Sequence, residues 1–386
     1  MSQRDFDVAI LGGGPTGSTL ALLLARATAH PERIALLQSD QNTQYGHAPG
    51  VDPRVLALNH GSKVLLEALG AWPDQAALIQ TIHVSQRGRL GRTVIRHTDY
   101  QVPQLGSVVR YADLHATLAR AVAASGVRIL TGPAAHLAAQ HHAGVQVTQG
   151  TATYHAALAV QADGSPTSPV KRVYRQMALL TSARATLPRL GWAFERFTRE
   201  GPLAVLPHPS APDQQAIVWC CAPDRARALQ ALDTRAFSRA LTDTFGSRLG
   251  TFDVQAPVST FPLLLNMRRS TVEGRLVAIG NAAQTLHPVA GQGLNLGLRD
   301  VAVLAIALRG WLTAPTTDPA PSLQQFERMR QPDRQLTAGL TDLMARAFAT
   351  QWPIVEHAAG LTLLSMDLVP ALRAPLARHL LQGLRL

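Results

Sequence analysis

Residues 11–25, LGGGPTGSTLALLLA, follow the short run Asp7 to Ile10 and set Gly12, Gly14 and Gly17 at G-x-G-x-x-G spacing. In a strand, turn and helix of this kind the first glycine makes the tight turn, the second lets backbone approach a phosphate, and the third lets helix pack on strand. The pattern alone also suits a turn that holds nothing. A second strand from Ile34 to Gln38 completes a βαβ start, for which parallel pairing and a right-handed crossover are expected.

The 386 residues are 46% hydrophobic and 16% charged, enough to bury a large core in two or three domains. Net charge is +11, yet Lys63 and Lys171 are the only lysines among 36 basic residues, and the arginine bias looks partly compositional. The basic excess permits an anionic partner such as a membrane surface. Nucleic acid is not expected: no basic run of five, no binding motif, and 5% aromatic residues for base stacking. Cys220 and Cys221 are adjacent and so form no ordinary cross-fold disulfide, which favours a reducing compartment, the cytoplasm. The N-terminus does not read as a signal peptide, and no run of about 18 apolar residues spans a bilayer.

Further along, Asp52 as N-cap, Pro53 at the first helical position and Gly70 as stop predict a helix. Segment 81–103 is short and β-like, and 107–132 reads as strand, helix, strand. A hairpin then leads into a strand ending at Asp163 and Gly164. From about 172 to 271 proline-punctuated β-runs predict a mostly antiparallel sheet, interrupted by a helix around 226–247. After the strand RLVAIG the chain turns through glycines into a helix from Leu294 to about Leu312, and 322–386 reads as helices only.

In RLVAIGNAAQTLHPVAGQGLNLGLRD, residues 275–300, a strand ends at Gly280 and Gly291-Gln292-Gly293 lead directly into a helix, so free N–H groups and the positive helix end converge on one point. With the first turn and Asp163-Gly164, this makes three motifs in the order of a known family. From Phe6 to about Leu343 the sequence resembles the FAD-dependent aromatic hydroxylases, most closely their ubiquinone-biosynthesis branch.

The resemblance implies an α/β fold: a Rossmann-like FAD-binding domain of the p-hydroxybenzoate-hydroxylase type, discontinuous over 1–80, 104–171 and 272–335. An antiparallel β substrate domain at 81–103 and 172–271 and a C-terminal helical segment at 336–386 complete it. It implies that Gly12, Gly14 and Gly17 hold the FAD pyrophosphate and that Asp163 and Gly164 serve both flavin and reducing nucleotide. Gly280 and Asn281 replace the usual Gly-Asp at the ribityl chain. Arg110 approaches the FAD, and Arg54 lies near the flavin ring. Gly291, Gly293, Leu294 and Asn295 stabilise negative charge on the reduced ring by helix-end donors. His287 and Pro288 shape the loop beside it and, with Arg54, are the catalytic candidates, His287 as the tempting base. Gln38 stands where an acidic residue usually meets the adenosine ribose; an amide still accepts a hydroxyl hydrogen bond, with about half the strength.

The implied reaction is that of a monooxygenase: NAD(P)H reduces the flavin, O₂ adds to give a C4a-hydroperoxide, and a polyprenylated phenol of the 2-polyprenyl-6-methoxyphenol type takes the distal oxygen. Another ring position, another aromatic substrate, or a flavin-poor accessory subunit of a biosynthetic complex are the alternatives. Blander readings stay open for single residues: an ordinary turn at Asp163-Gly164, a loop cap at Asn281, a surface position for Gln284, a structural role for His287, solvated faces for Arg54 and Arg110. No metal-ligand spacing is found. The tail LVPALRAPLARHLLQGLRL, with leucines at 372, 376, 380, 381 and 384 and Arg373, Arg378 and Arg385, reads either as a basic amphipathic helix lying on an inner membrane or as a helix packed on its own domain or a partner copy.

Overall fold

The computed structural model of the protein describes residues 4–40, 54–89, 91–165, 172–348 and 352–382. Strand Phe6–Leu11 is buried throughout, as a strand covered on both faces must be, and pairs in parallel with Ile34–Ser39 on one side and Ala152–Gln161 on the other. Leu276–Ala278 adds in parallel beyond Ala152–Gln161, and Arg128–Gly132 beyond Ile34–Ser39. Because these strands run the same way, the loops leaving residues 11, 161 and 278 emerge at one edge. The sequence order is thus irrelevant to their meeting: topology brings together turns about 150 and 270 positions from the first.

Helix α1 (Pro15–Ala25) packs between this sheet and its neighbours, with Leu20, Leu22 and Leu24 in the same core as Val8, Ile10 and, from a distant helix, Leu298 and Val301. Two of its hydroxyls bond back to local carbonyls: Thr19 donates to that of Pro15 and Ser18 to that of Gly13.

The predicted helix from Asp52 is corrected. Asp52 and Pro53 lie outside the described residues, but Val55–Asn59 is a strand, antiparallel to Gly106–Arg110, and α2 (His60–Ala68) starts only after it. The cap is Asn59, whose side chain accepts from the Ser62 N–H at 2.9 Å. Strand pairing with a remote partner outweighs the local helical signal. Helix α3 (Tyr111–Ala123) follows Gly106–Arg110 as expected.

The second layer is a nine-stranded sheet whose central strands are Arg172–Ala185, Gln214–Cys221, Pro202–Pro207 and Trp192–Phe197. These pair antiparallel, while Trp192–Phe197 meets Thr81–Gln86 in parallel and Arg92–Arg96 closes the edge. One face carries α4 (Pro223–Gln230) and α5 (Thr234–Phe245) over a core of Trp219, Phe237 and Phe245. These are two helices where one was expected, because Asp233 caps the second by accepting from the Ala236 N–H at 2.7 Å. Cys220 and Cys221 are buried free thiols, and burial pushes Cys221 up to about 12.

Helix α6 (Gln292–Leu308) returns under the first sheet, and α7 (Ala320–Phe348), α8 (Pro353–Leu368) and α9 (Pro370–Gln382) finish the described chain. Of the arginines of α9, Arg373 turns inward and Arg378 is exposed. Arg373 donates to the Val94 carbonyl and pairs with Asp99, both at 2.8 Å, and Ala377 and Leu381 are buried. Leu384 and Arg385 lie outside the described residues. Among the described residues no single helix is long and apolar enough to cross a membrane.

Candidate active site

A cavity of about 880 Å³ runs along the edge where the three loops emerge and continues beneath the second sheet. At one end are Gly12, Gly13, Gly14, Gln38, Asp163 and Gly164; in the middle, Arg54, Gly280, Asn281, Gly291, Gly293 and Leu294; at the far end, Ile82, Ala193, Ala204, Leu206 and Val218 from the sheet.

The glycines there have distinct reasons. Gly12 has φ +118°, and a Cβ on it would sit 2.6 Å from the backbone of Ala162 and Asp163; one on Gly17 would sit 2.0 Å from the Gly12 carbonyl oxygen. These two let strand, turn and helix close up. A Cβ on Gly14 meets nothing within 4 Å: it would stand in the cavity, where a ligand's backbone-facing phosphate belongs. Gly14 is also the N-cap of α1, has no side-chain cap, and is followed by Pro15, so the first N–H groups and the positive helix end are open to an anion. The cradle therefore fits a dinucleotide pyrophosphate.

Gln38 lines the cavity with its amide fixed by donation from Nε2 to Thr131 Oγ1 at 2.9 Å, which leaves Oε1 as an acceptor beside Gly13. Asp163 accepts from the Ser165 N–H at 3.1 Å, a local turn that shapes the exit of its strand. Arg54 also lines the cavity, its guanidinium 4.0 Å above the Tyr111 ring. Pro288 and Leu286 bring the loop before α6 against the same space, and the α6 N-cap Gly291 has φ +60° and no side-chain cap.

Four of the sequence-derived candidates stand behind this wall. Gly17 packs α1 on its own turn. Arg110 donates from Nε to Asp113 at 2.6 Å and is not among the lining residues. Asn295 is buried and used up structurally: Oδ1 accepts from the Asn59 N–H and the Ser62 hydroxyl, and Nδ2 donates to the Ala57 and Gly291 carbonyls. His287 is fully buried, 5.0 Å from the Tyr174 ring. Its Nδ1 accepts from the Val289 N–H and its Nε2 donates to Gln176, while burial pulls it down to about 4, so it is a neutral loop anchor.

The sequence reading passed over the residues that hold this loop. Asp300 of α6, buried, accepts from the Gly280 N–H at 3.1 Å and from Gln284 Nε2 at 2.6 Å, and its other oxygen pairs with Arg330 at 2.8 Å. Asp333 joins Arg330 to Arg299. Gln284 is thus a buried tie and not a surface residue. The only sequence signal was the Asp itself, charged in the middle of an apolar helix. Glu195, Tyr111 and His115, which line the cavity, were also missed.

A phosphate cradle at the carboxyl edge of a parallel sheet, opening under an apolar sheet face, fits an enzyme that sets a dinucleotide cofactor beside an apolar substrate, and the family and relatives that the chain matches make it a flavin-dependent aromatic monooxygenase. The chain belongs to the FAD binding domain family, which matches residues 5–332. Its cofactor is FAD, with NAD(P)H the usual reductant of such enzymes. Ubiquinone hydroxylase UbiL of Rhodospirillum rubrum is 30% identical over 98% of this chain and 90% of that protein. The 3-demethoxyubiquinol 3-hydroxylase of Escherichia coli is 26% identical over 99% of this chain and all of that protein. In fold, the crystal structure of PqsL from P. aeruginosa, in complex with 2-aminobenzoylacetate, matches with a TM-score of 0.74 over 92% of this chain and 99% of that one, at 17% identity.

Proposed function

We propose that the chain hydroxylates a polyprenylated phenol on the route to ubiquinone, of the 2-polyprenyl-6-methoxyphenol type. One observation carries the reading: the same cavity has a glycine cradle at one end and an aliphatic sheet face at the other, room for both a dinucleotide and a greasy ring. The chemistry that FAD supplies when bound is reduction by NAD(P)H and transfer of one oxygen atom of O₂ to an electron-rich ring. Gly12 to Gly14 and the α1 N-terminus hold the pyrophosphate, Gln38 the adenosine ribose, Asn281 the ribityl hydroxyls, and the Gly291 end of α6 the ring edge. Arg54, over Tyr111, carries positive charge along the cavity wall.

On the substrate side Glu195 stands out. Its strand partner Ala204 and its neighbour Ala193 share the apolar half of the cavity, where Glu195 is the one carboxylate among the described lining residues. It accepts the phenolic O–H, which orients the ring and raises its electron density. The sheet face excludes water from the reacting end.

Membrane contact falls to α8 and the start of α9. Trp352, Ile354, Leu361, Leu368 and Leu372 are exposed, while both acids of α8 face inward: Glu356 to Arg89 and Arg199, Asp367 to the Val94 N–H. An uncharged apolar face, with Arg378 exposed on α9, suits an anionic bilayer, the phase that holds a prenylated substrate.

The test is purified protein: flavin near one per chain, NAD(P)H consumption on adding a prenylated phenol, and a product heavier by one oxygen. Flavin without phenol-dependent turnover on any prenylated phenol sinks the substrate reading. The hydroxylated position is read from the product.

A further inference from the structure

Strand Thr81–Gln86 faces two ways. Ile82 lines the cavity, so His83 and Ser85 look to the opposite face, where His83 lies 5.7 Å from Phe194 under α5. Three arginines crowd them there. Arg248, in the turn Ser247–Leu249 after α5, brings Nη1 to 3.0 Å from His83 Nε2. Arg196, two residues beyond Phe194 on the adjoining strand, reaches Ser85 Oγ at 3.5 Å. Arg92 stands directly across from Ser85 in the edge strand.

We propose that His83, Arg92, Arg196 and Arg248 form a binding site for a phosphate-type dianion. Every neighbouring charge that acts on Arg196 or Arg248 is another arginine: Arg248 and Arg87 on the first, Arg189 and Arg92 on the second. Neither has a carboxylate within salt-bridge reach among the described residues, and Arg92 meets Asp367 only at 4.0 Å. Arg196 is half-buried and its buried Nε has no hydrogen-bond partner. Like charges held this close and partly out of water are costly unless an anion sits between them, and guanidinium forks match phosphate oxygens two at a time. His83, held near 4 by burial and by these cations, becomes a second donor once a dianion offsets them.

Free phosphate, the 2′-phosphate of NADPH and a phospholipid headgroup share this chemistry. The flavin-loaded protein is titrated with inorganic phosphate at constant ionic strength, against chloride, with melting temperature and the His83 imidazole NMR shift as readouts. Saturable stabilisation specific to phosphate, with His83 titrating higher as the site fills, is expected. Arg196→Gln/Arg248→Gln weakens binding at least about tenfold, keeps its flavin, and in phosphate-free buffer melts no lower than the parent, since it removes a repulsion. Arg92→Gln, on the exposed rim, is the second variant and weakens phosphate binding in the same direction. Phosphate that stabilises no more than chloride, or variants that bind it as the parent does, overturns the proposal. Competition by NADP⁺ but not NAD⁺ assigns the nucleotide, competition by phosphatidylglycerol but not phosphatidylcholine vesicles assigns the lipid, and competition by neither assigns free phosphate. None of these readouts depends on phenol hydroxylation.

Discussion

Asp300 Oδ2 accepts the backbone N–H of Gly280 at 3.1 Å, tying the middle of α6 to the loop that carries Asn281. Its other oxygen meets Arg330, so one buried carboxylate both shapes the cavity wall and neutralises a buried guanidinium. Asp300→Ala leaves Arg330 short of a partner and frees the loop. Urea unfolding should show a loss of about 3–5 kcal/mol, with flavin released on gel filtration. A variant that keeps its flavin and its stability removes the clamp from the account.

Gly14 and Gly17 differ in a way that separates binding from folding. Gly14→Val points a side chain into open cavity and should give soluble, colourless protein. Gly17→Val collides with the Gly12 carbonyl and should fail to fold, seen as insoluble protein on expression. Full flavin content in Gly14→Val would contradict the cradle.

His287 is neutral at any working pH. Burial lowers it from 6.5 to about 4, so the stability it contributes is complete above about pH 6.5 and is lost as pH falls toward 4. The loss amounts to at most about 3 kcal/mol. His287→Gln, measured by thermal melts from pH 7 to 4, should flatten that acid limb while kcat between pH 6 and 8 keeps its shape. A kcat profile that loses an ionisation near neutrality would restore His287 as an acid–base group.

Glu195→Gln should raise the dissociation constant of a phenol by about tenfold or more, the worth of a hydrogen bond to a charged acceptor, and leave that of its methyl ether unchanged. Perturbation of the flavin absorbance reads both. Equal losses for the two ligands would mean that Glu195 only shapes the pocket.

On α8, Leu361→Glu/Leu368→Glu should abolish sedimentation with phosphatidylglycerol vesicles and leave flavin content intact. If the parent protein ignores vesicles and the variant instead dissociates a dimer in light scattering, a second copy covers this face.

Much of the fold was legible because its signals are local. Glycine at fixed offsets and an unbroken apolar strand announce the βαβ start, and an apolar chain with alternating proline-bounded runs announces the second sheet. What failed was local evidence set against a distant partner: VLALN after Pro53 reads as helix until Gly106–Arg110 takes it into a sheet. The glycines of the site were readable because their chemistry resides in a missing side chain. Asp300, Arg330 and Glu195 were not, since their meaning depends on what faces them across the core.

The cradle is assembled from strands whose ends lie near residues 11, 161 and 278. During synthesis, then, no nascent chain shorter than about 300 residues owns all three turns of the proposed cradle. The early βαβ half must wait with its apolar flank unsealed, an interval open to aggregation. Riboflavin scarcity would be felt by the whole late-folding population at once, because no partial product exists that could grip the cofactor early.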